Sequence, residues 1–164
     1  MALAIPLYQH RNRVRQLLLP ISVGLLAGSI TAILSAIGLA WLLGGSSRTL
    51  LSLAPKSVTT PVAMGIAEKI GGLPSLTAVM VILTGVVGAV AAPALLGWLR
   101  IRDEAVQGLA IGVAAHGIGT ARALHICGMA GAFAGMAIGL NALLTALLAP
   151  LIVQWLHLTP NGLP

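Results

Sequence analysis

The run LLLPISVGLLAGSITAILSAIGLAWLL, residues 17–43, decides the class of fold. No ionisable side chain occurs between Arg15 and Arg48. A bilayer core about 30 Å thick is crossed by about 20 helical residues, and this run is longer than that. It also exceeds the apolar stretch of a signal peptide, and more of the same follows it. From Ile70 to Leu99 the chain is again uncharged, and from Ala123 to Pro164 only His125, Cys127 and His157 can titrate. Over the 164 residues 58% are hydrophobic, 7% are charged and the mean hydropathy is +1.03. A soluble domain carries about a quarter charged residues, so this composition cannot build a water-facing surface. A transmembrane barrel needs short segments of alternating polarity, whereas these runs are unbroken and rich in Ala, Leu and Gly. The fold class expected is all-α: a polytopic helical membrane protein.

Three full spans are expected, at 17–43, 75–99 and 129–156. Pro20 lies near the start of the first, Pro93 and Trp98 near the end of the second, and Pro150 and Trp155 near the end of the third. Between them, 58–72 and 105–124 are weakly apolar and interrupted by Gly, Pro, Thr and charge. Residues 61–67, PVAMGIA, align with 108–114, GLAIGVA, and Ala92-Pro93 with Trp98 aligns with Ala149-Pro150 with Trp155. The chain then reads as one membrane domain over 1–164: a span at 17–43, repeat unit 1 at 58–99 and repeat unit 2 at 105–156. Each unit pairs a discontinuous segment, re-entrant or broken, with a full span. Backbone that leaves helical geometry inside a membrane must be buried in protein or face water. Transporters use such segments to hold substrates at mid-depth. The other reading is a pair of surface-lying or merely weak helices.

Basic residues concentrate on the cytoplasmic side. With Arg11, Arg13 and Arg15 inside and both discontinuous segments re-entrant, Arg100 and Arg102 also fall inside. Arg48 and Lys56 fall outside, and the two units are inverted. The net charge of +6 is scattered among apolar spans, without a dense basic face, so nucleic acid is not an expected partner. The single cysteine, Cys127, excludes an internal disulfide and a cysteine-based metal cluster. No metal site, nucleotide loop or catalytic triad is present in the pattern; neither cofactor nor enzymatic activity is expected.

The stretch KSVTTPVAMGIAEKIGGLPSLTA, residues 56–78, resembles the LrgB/CidB family, as do AAHGIGTARAL at 114–124, GAF at 131–133 and TALLAP at 145–150. The resemblance covers essentially the whole chain. Ala4 to Tyr8 is similar to a passage well inside family members, which implies that an N-terminal portion is missing. Family members often carry acidic residues just before Gly-Ala-Phe, where this chain has Gly128, Met129 and Ala130. The resemblance implies a multi-pass protein of the cytoplasmic (inner) membrane, working with a small holin-like partner of the LrgA/CidA type and likened to a plastidial glycolate/glycerate translocator. Two functions follow from it. One is part of a small-monocarboxylate transport system, for pyruvate- or glycolate-like substrates, linked to control of murein hydrolase activity and autolysis. The other is a holin/antiholin-like regulatory membrane protein with no transport of its own.

Several residues fit the transport reading. Arg122 is a guanidinium in an otherwise uncharged region, and its planar fork matches a carboxylate; it can equally snorkel to an interface or pair with Glu68. Thr59 and Thr60 before Pro61 form a helix start whose free N–H groups suit an anion, and Gly119 with Thr120 repeats that chemistry in the second unit. His116 is the candidate proton carrier, or a hydrogen-bond donor only. Asn141 is polar glue between helices. Gly24 and Gly28, and the stripe Gly131, Gly135 and Gly139, are expected at close helix contacts, consistent with a homo-oligomer.

Overall fold

The computed structural model describes residues 8–158; of the passage Ala4 to Tyr8, all but Tyr8 lies outside them. Every regular element among the described residues is a helix: α1 (Arg11–Gln16), α2 (Leu18–Leu42), α3 (Ser47–Leu53), α4 (Thr60–Ile70), α5 (Pro74–Trp98), α6 (Glu104–Ile126) and α7 (Gly128–Trp155). Helices α2, α5 and α7 are long and apolar enough to cross a bilayer, and each bound lies within one residue of the expected one. Their outer faces keep large aliphatics exposed, such as Leu83, Val87 and Val90 on α5 and Leu143, Leu147 and Leu151 on α7. These are the sides that lipid would cover.

The spans alternate in direction. Arg13 of α1 pairs with Asp103 at 2.8 Å, so α2 starts at the end where α5 finishes. Here this is called the basic end, since Arg11, Arg13, Arg15, Arg100 and Arg102 gather there. From it α2 runs alongside α7: Ile21 and Leu25 pack with Phe133, and Ile37 and Ala40 cluster with Val153. At the far end Ser46 caps α3, accepting from the Thr49 N–H, and α5 returns from there to the basic end.

The two discontinuous segments are helical hairpins opening to opposite ends. In α6 the helix breaks at His116, where φ is 39° and ψ −131°. A Cβ on Gly119 would stand only 3.0 Å from the Ile111 carbonyl oxygen; residues eight apart in a straight helix are separated by about 12 Å. The chain has therefore doubled back. The inward limb, 104–115, lies along α7, with Gly112 closing on Ala134. The outward limb, 117–126, returns to the basic end, where Ile126 lines one cleft with Arg102 and Gln107.

The other hairpin opens at the far end. Its inward limb is α3, followed by turns to Val58; its outward limb is α4, which runs along α7 from Ala146 to Pro150 and ends at Gly71 with φ 87°. This corrects two expectations. The re-entrant segment begins near Ser47 rather than at 58, because seven residues of α3 are too few to show helical periodicity. Lys56 is not in an open loop; it is half-buried at the hairpin tip, since Ala54 and Val58 on either side of it join the core.

Small residues set the helix spacing. A Cβ on Gly28 would meet Val113 Cγ1 at 3.0 Å and one on Gly24 would meet Leu109 at 3.4 Å, so both serve the expected close packing. The stripe on α7 is only partly used: Gly131 packs on Leu124, whereas Gly139 has open space around it. Closest approach to α7 comes instead from Gly108 and Gly112, which abut the backbone of Ala130 and Ala134.

Candidate functional site at the meeting of two hairpins

Both hairpin tips arrive at the same depth. Asn141 lies midway along α7, about 20 Å from either end at 1.5 Å per residue. Its Nδ2 donates to the Ser57 carbonyl at 3.0 Å and to the Val113 carbonyl at 3.3 Å, one from each hairpin. Its Oδ1 accepts from Ser29 Oγ of α2 at 2.6 Å. One buried amide thus ties two spans to both re-entrant segments, as expected of polar glue. A carbonyl left without its helical partner near a break needs such a donor, since bilayer hydrocarbon offers none.

His116 is buried at the second tip, with Nε2 2.9 Å from the Val81 carbonyl of α5. Gly85 makes room for the ring: a Cβ there would stand 2.7 Å from His116 Cε1. Thr120 Oγ1 donates to the His116 carbonyl at 3.0 Å, bridging the break, and Gly119 is buried against Ile111. Lys56, at the first tip, is half-buried.

The first tip also carries a helix start. Thr59 is the N-cap of α4 in extended conformation, with Pro61 in the first turn and no side chain capping the free N–H groups. Those groups and the positive end of the helix dipole thus sit at mid-depth. Free N–H groups at a helix N-terminus favour an anion.

The sequence-derived residues therefore divide. Thr59 and Thr60, half-buried, belong to one tip, and His116, Gly119 and Thr120 to the other. Arg122 does not join them: it is exposed on the outward limb of α6, one turn before that limb ends. It does not pair with Glu68, which is exposed on the hairpin that opens to the far end. Sequence reasoning missed Lys56, Ser57 and Ser29 as members of this junction. Lys56 and Ser57 open the KSVTTP motif, and that was the available signal; Ser29 had none.

At the basic end Asp103 caps α6, accepting from the Ala105 and Val106 N–H groups at 2.9 and 3.1 Å. The Val106 N–H foremost, with the Arg13 guanidinium and the Ala105 N–H, holds its carboxyl below the usual carboxylate range, against the opposing effect of burial. Among the described residues no group of three His, Cys, Asp or Glu side chains is placed to hold a metal ion.

Comparison with known proteins gives a consistent result. The sequence model of the LrgB-like family matches residues 1–155. The uncharacterized protein YxaC of Bacillus subtilis (strain 168) is 39% identical over 157 residues, covering 96% of this chain and 68% of its own length. The holin-like protein CidB of Staphylococcus epidermidis (strain ATCC 12228 / FDA PCI 1200) is 29% identical over 151 residues, covering 92% of this chain and 66% of its own. CidB of Staphylococcus aureus (strain N315) is 28% identical over the same length. No solved structure matches.

Proposed function

The chain belongs to the LrgB-like family, and from that premise we propose that it is part of a system moving small monocarboxylates of the pyruvate or glycolate kind across the cytoplasmic membrane. Control of murein hydrolase activity and autolysis is then a downstream consequence. One observation carries this reading: two hairpins from opposite ends meet at mid-depth around Asn141 and His116. That is how carriers place a binding site between two inverted halves. In this reading the halves are unit 58–99, extended back to Ser47 at the start of α3, and unit 105–156. In support, Pro150 of the second lies beside the outward limb of the first hairpin, and Pro93 of the first lies beside the outward limb of the second.

In this reading Thr59, Thr60, Gly119 and Thr120 offer hydroxyls and backbone N–H groups to the carboxylate. Arg122, exposed between the tip and the basic end, receives the anion on its way from the tips to the cytoplasm. His116 carries the accompanying proton, which neutralises the translocated charge. The basic end faces the cytoplasm, as the positive-inside rule asks. The working unit is a homo-oligomer with a small holin-like partner of the LrgA/CidA type.

The test is uptake of labelled pyruvate or glycolate by cells expressing the full-length protein with that partner. Arg122→Gln should abolish uptake, and Arg122→Lys, which loses the two-pronged geometry, should reduce it sharply while membrane insertion is kept. Normal uptake in Arg122→Gln would remove Arg122 from the site. A second reading, a holin-like regulator without transport, is favoured by the name of the CidB relatives. It gains if uptake is absent while autolysis still responds to the protein.

A further inference from the structure

At the basic end α5 finishes in a tight turn. Arg100 takes a φ of 56°, its N–H donates to the Gly97 carbonyl at 3.1 Å, and the Ile101 N–H donates to the Leu96 carbonyl at 3.0 Å. Gln107 Nε2 then donates to the Ile101 carbonyl at 2.7 Å, pinning the loop to the start of α6. The turn places Arg100 and Arg102 on the wall of a cleft of about 370 Å³, which Pro93, Leu96 and Ile126 also line. Among the described residues neither guanidinium has a carboxylate partner, since Asp103 is held by Arg13.

Leu96 also lines a second hollow, of about 170 Å³, farther from the basic end along α5. It runs between α5 and the inward limb of α6, from Leu96 toward Gly88 and Ala115, and its walls are small apolar side chains such as Ala92, Ala110 and Ala114. Two unpaired guanidiniums thus stand next to a narrow apolar slot, with Leu96 lining both hollows. A free inorganic anion would use only the first part of that arrangement. An apolar chain alone would use only the second.

We propose that this cleft and slot together bind one anionic phospholipid, with its phosphodiester on Arg100 and Arg102 and the first methylenes of one acyl chain between α5 and the inward limb of α6. Guanidinium forks match phosphate oxygens with parallel hydrogen bonds. Basic pockets between helices on the cytoplasmic side are a known form of lipid headgroup recognition. A phosphatidylcholine headgroup brings its own cation against the two arginines and fits worse. The lipid would brace the inward limb, whose other end is the His116 break.

The test uses the full chain purified in neutral detergent and offered equal amounts of phosphatidylglycerol and phosphatidylcholine with the same acyl chains, with bound lipid read by native mass spectrometry. Phosphatidylglycerol should be retained over phosphatidylcholine by at least about fivefold. The Arg100→Gln/Arg102→Gln pair should bring retention down to the phosphatidylcholine level. Ala114→Phe and Ala91→Phe, both at exposed positions, should fill the slot and lower retention with the arginines intact. Arg11→Gln/Arg15→Gln removes the same charge nearby and should change nothing. Equal retention of both lipids, or equal loss in the Arg11/Arg15 pair, overturns the proposal. So does displacement by inorganic phosphate with no effect of filling the slot, which would make this a site for a free anion.

Discussion

Asn141 Nδ2 lies 3.0 Å from the Ser57 carbonyl oxygen, joining the middle of the last span to a hairpin tip 84 residues earlier in the chain. The same amide reaches Val113 and Ser29, so both hairpins are registered against one side chain. Such a bond costs little to form in a protein interior and much to lose, because its carbonyl partners have no water to turn to.

Asn141→Leu should therefore destabilise the protein by about 2–4 kcal/mol, the cost of orphaning buried polar groups. Ser29→Ala, which removes one partner and leaves the amide its two carbonyls, should cost about 1 kcal/mol or less. Thermal unfolding of the two variants in detergent gives the comparison; equal losses would mean that the amide is not the hub.

Helix spacing can be probed at two glycines. A Cβ on Gly112 would stand 2.5 Å from the Ala134 carbonyl oxygen, against backbone that cannot turn aside, whereas Gly139 has nothing within 4 Å. Gly112→Ala should cost about 1–3 kcal/mol through overpacking. Gly139→Ala should be neutral or slightly stabilising, since it replaces a helix-interior glycine. A loss confined to Gly139→Ala would point to an oligomer contact on the open face of α7.

Topology is tested with single cysteines at positions 47 and 102 in a Cys127→Ser background. Ser47 lies at the far end and Arg102 at the basic end, so an impermeant thiol reagent added outside should label position 47 and spare 102. Lys56→Cys, at the hairpin tip, should label more slowly than position 47. Equal labelling of 47 and 102 from outside would refute this arrangement.

Acid should loosen the basic end. The folded Asp103 carboxyl titrates below its unfolded value, so its contribution is present above the ordinary carboxylate pKa of about 3.9 and is lost as pH falls through the lower, folded one. The Arg13 pair is exposed on both sides and contributes under about 1 kcal/mol; the cap on α6 adds about 1 kcal/mol. Asp103→Ala should therefore lower the unfolding temperature at neutral pH, and the gap to wild type should close at the acid end.

His116 separates the transport reading from a structural one. His116→Gln keeps a donor for the Val81 carbonyl and removes the titrating group, so uptake should lose its pH dependence more than its apparent affinity. His116→Gly suits the positive φ but gives up the bond to Val81, and should reduce stability while leaving the break in place. An unchanged pH profile in His116→Gln would exclude a proton role.

Much of this molecule is local in origin, and local features are what a sequence displays. The spans at 18–42, 74–98 and 128–155 are dictated by unbroken apolar runs, because each helix satisfies its own backbone hydrogen bonds wherever it is placed. The start of α4 was legible for the same reason: Thr59 and Pro61 act within one turn. The glycine-rich stretch around His116 announced a discontinuity, since weak hydropathy and interrupted periodicity are carried by neighbouring residues.

What the sequence by itself determined, then, is an all-helical membrane protein with three spans and two interrupted segments at nearly the right places. Only the tertiary structure decided that the first hairpin begins at α3, that Lys56 lies at its tip, that Asn141 joins both tips, and that Arg122 stands apart from them. Charge in a sequence marks a residue as costly to bury but does not say whether a neighbour will share the burial. Those neighbours are dozens of residues away, and packing alone brings them into contact.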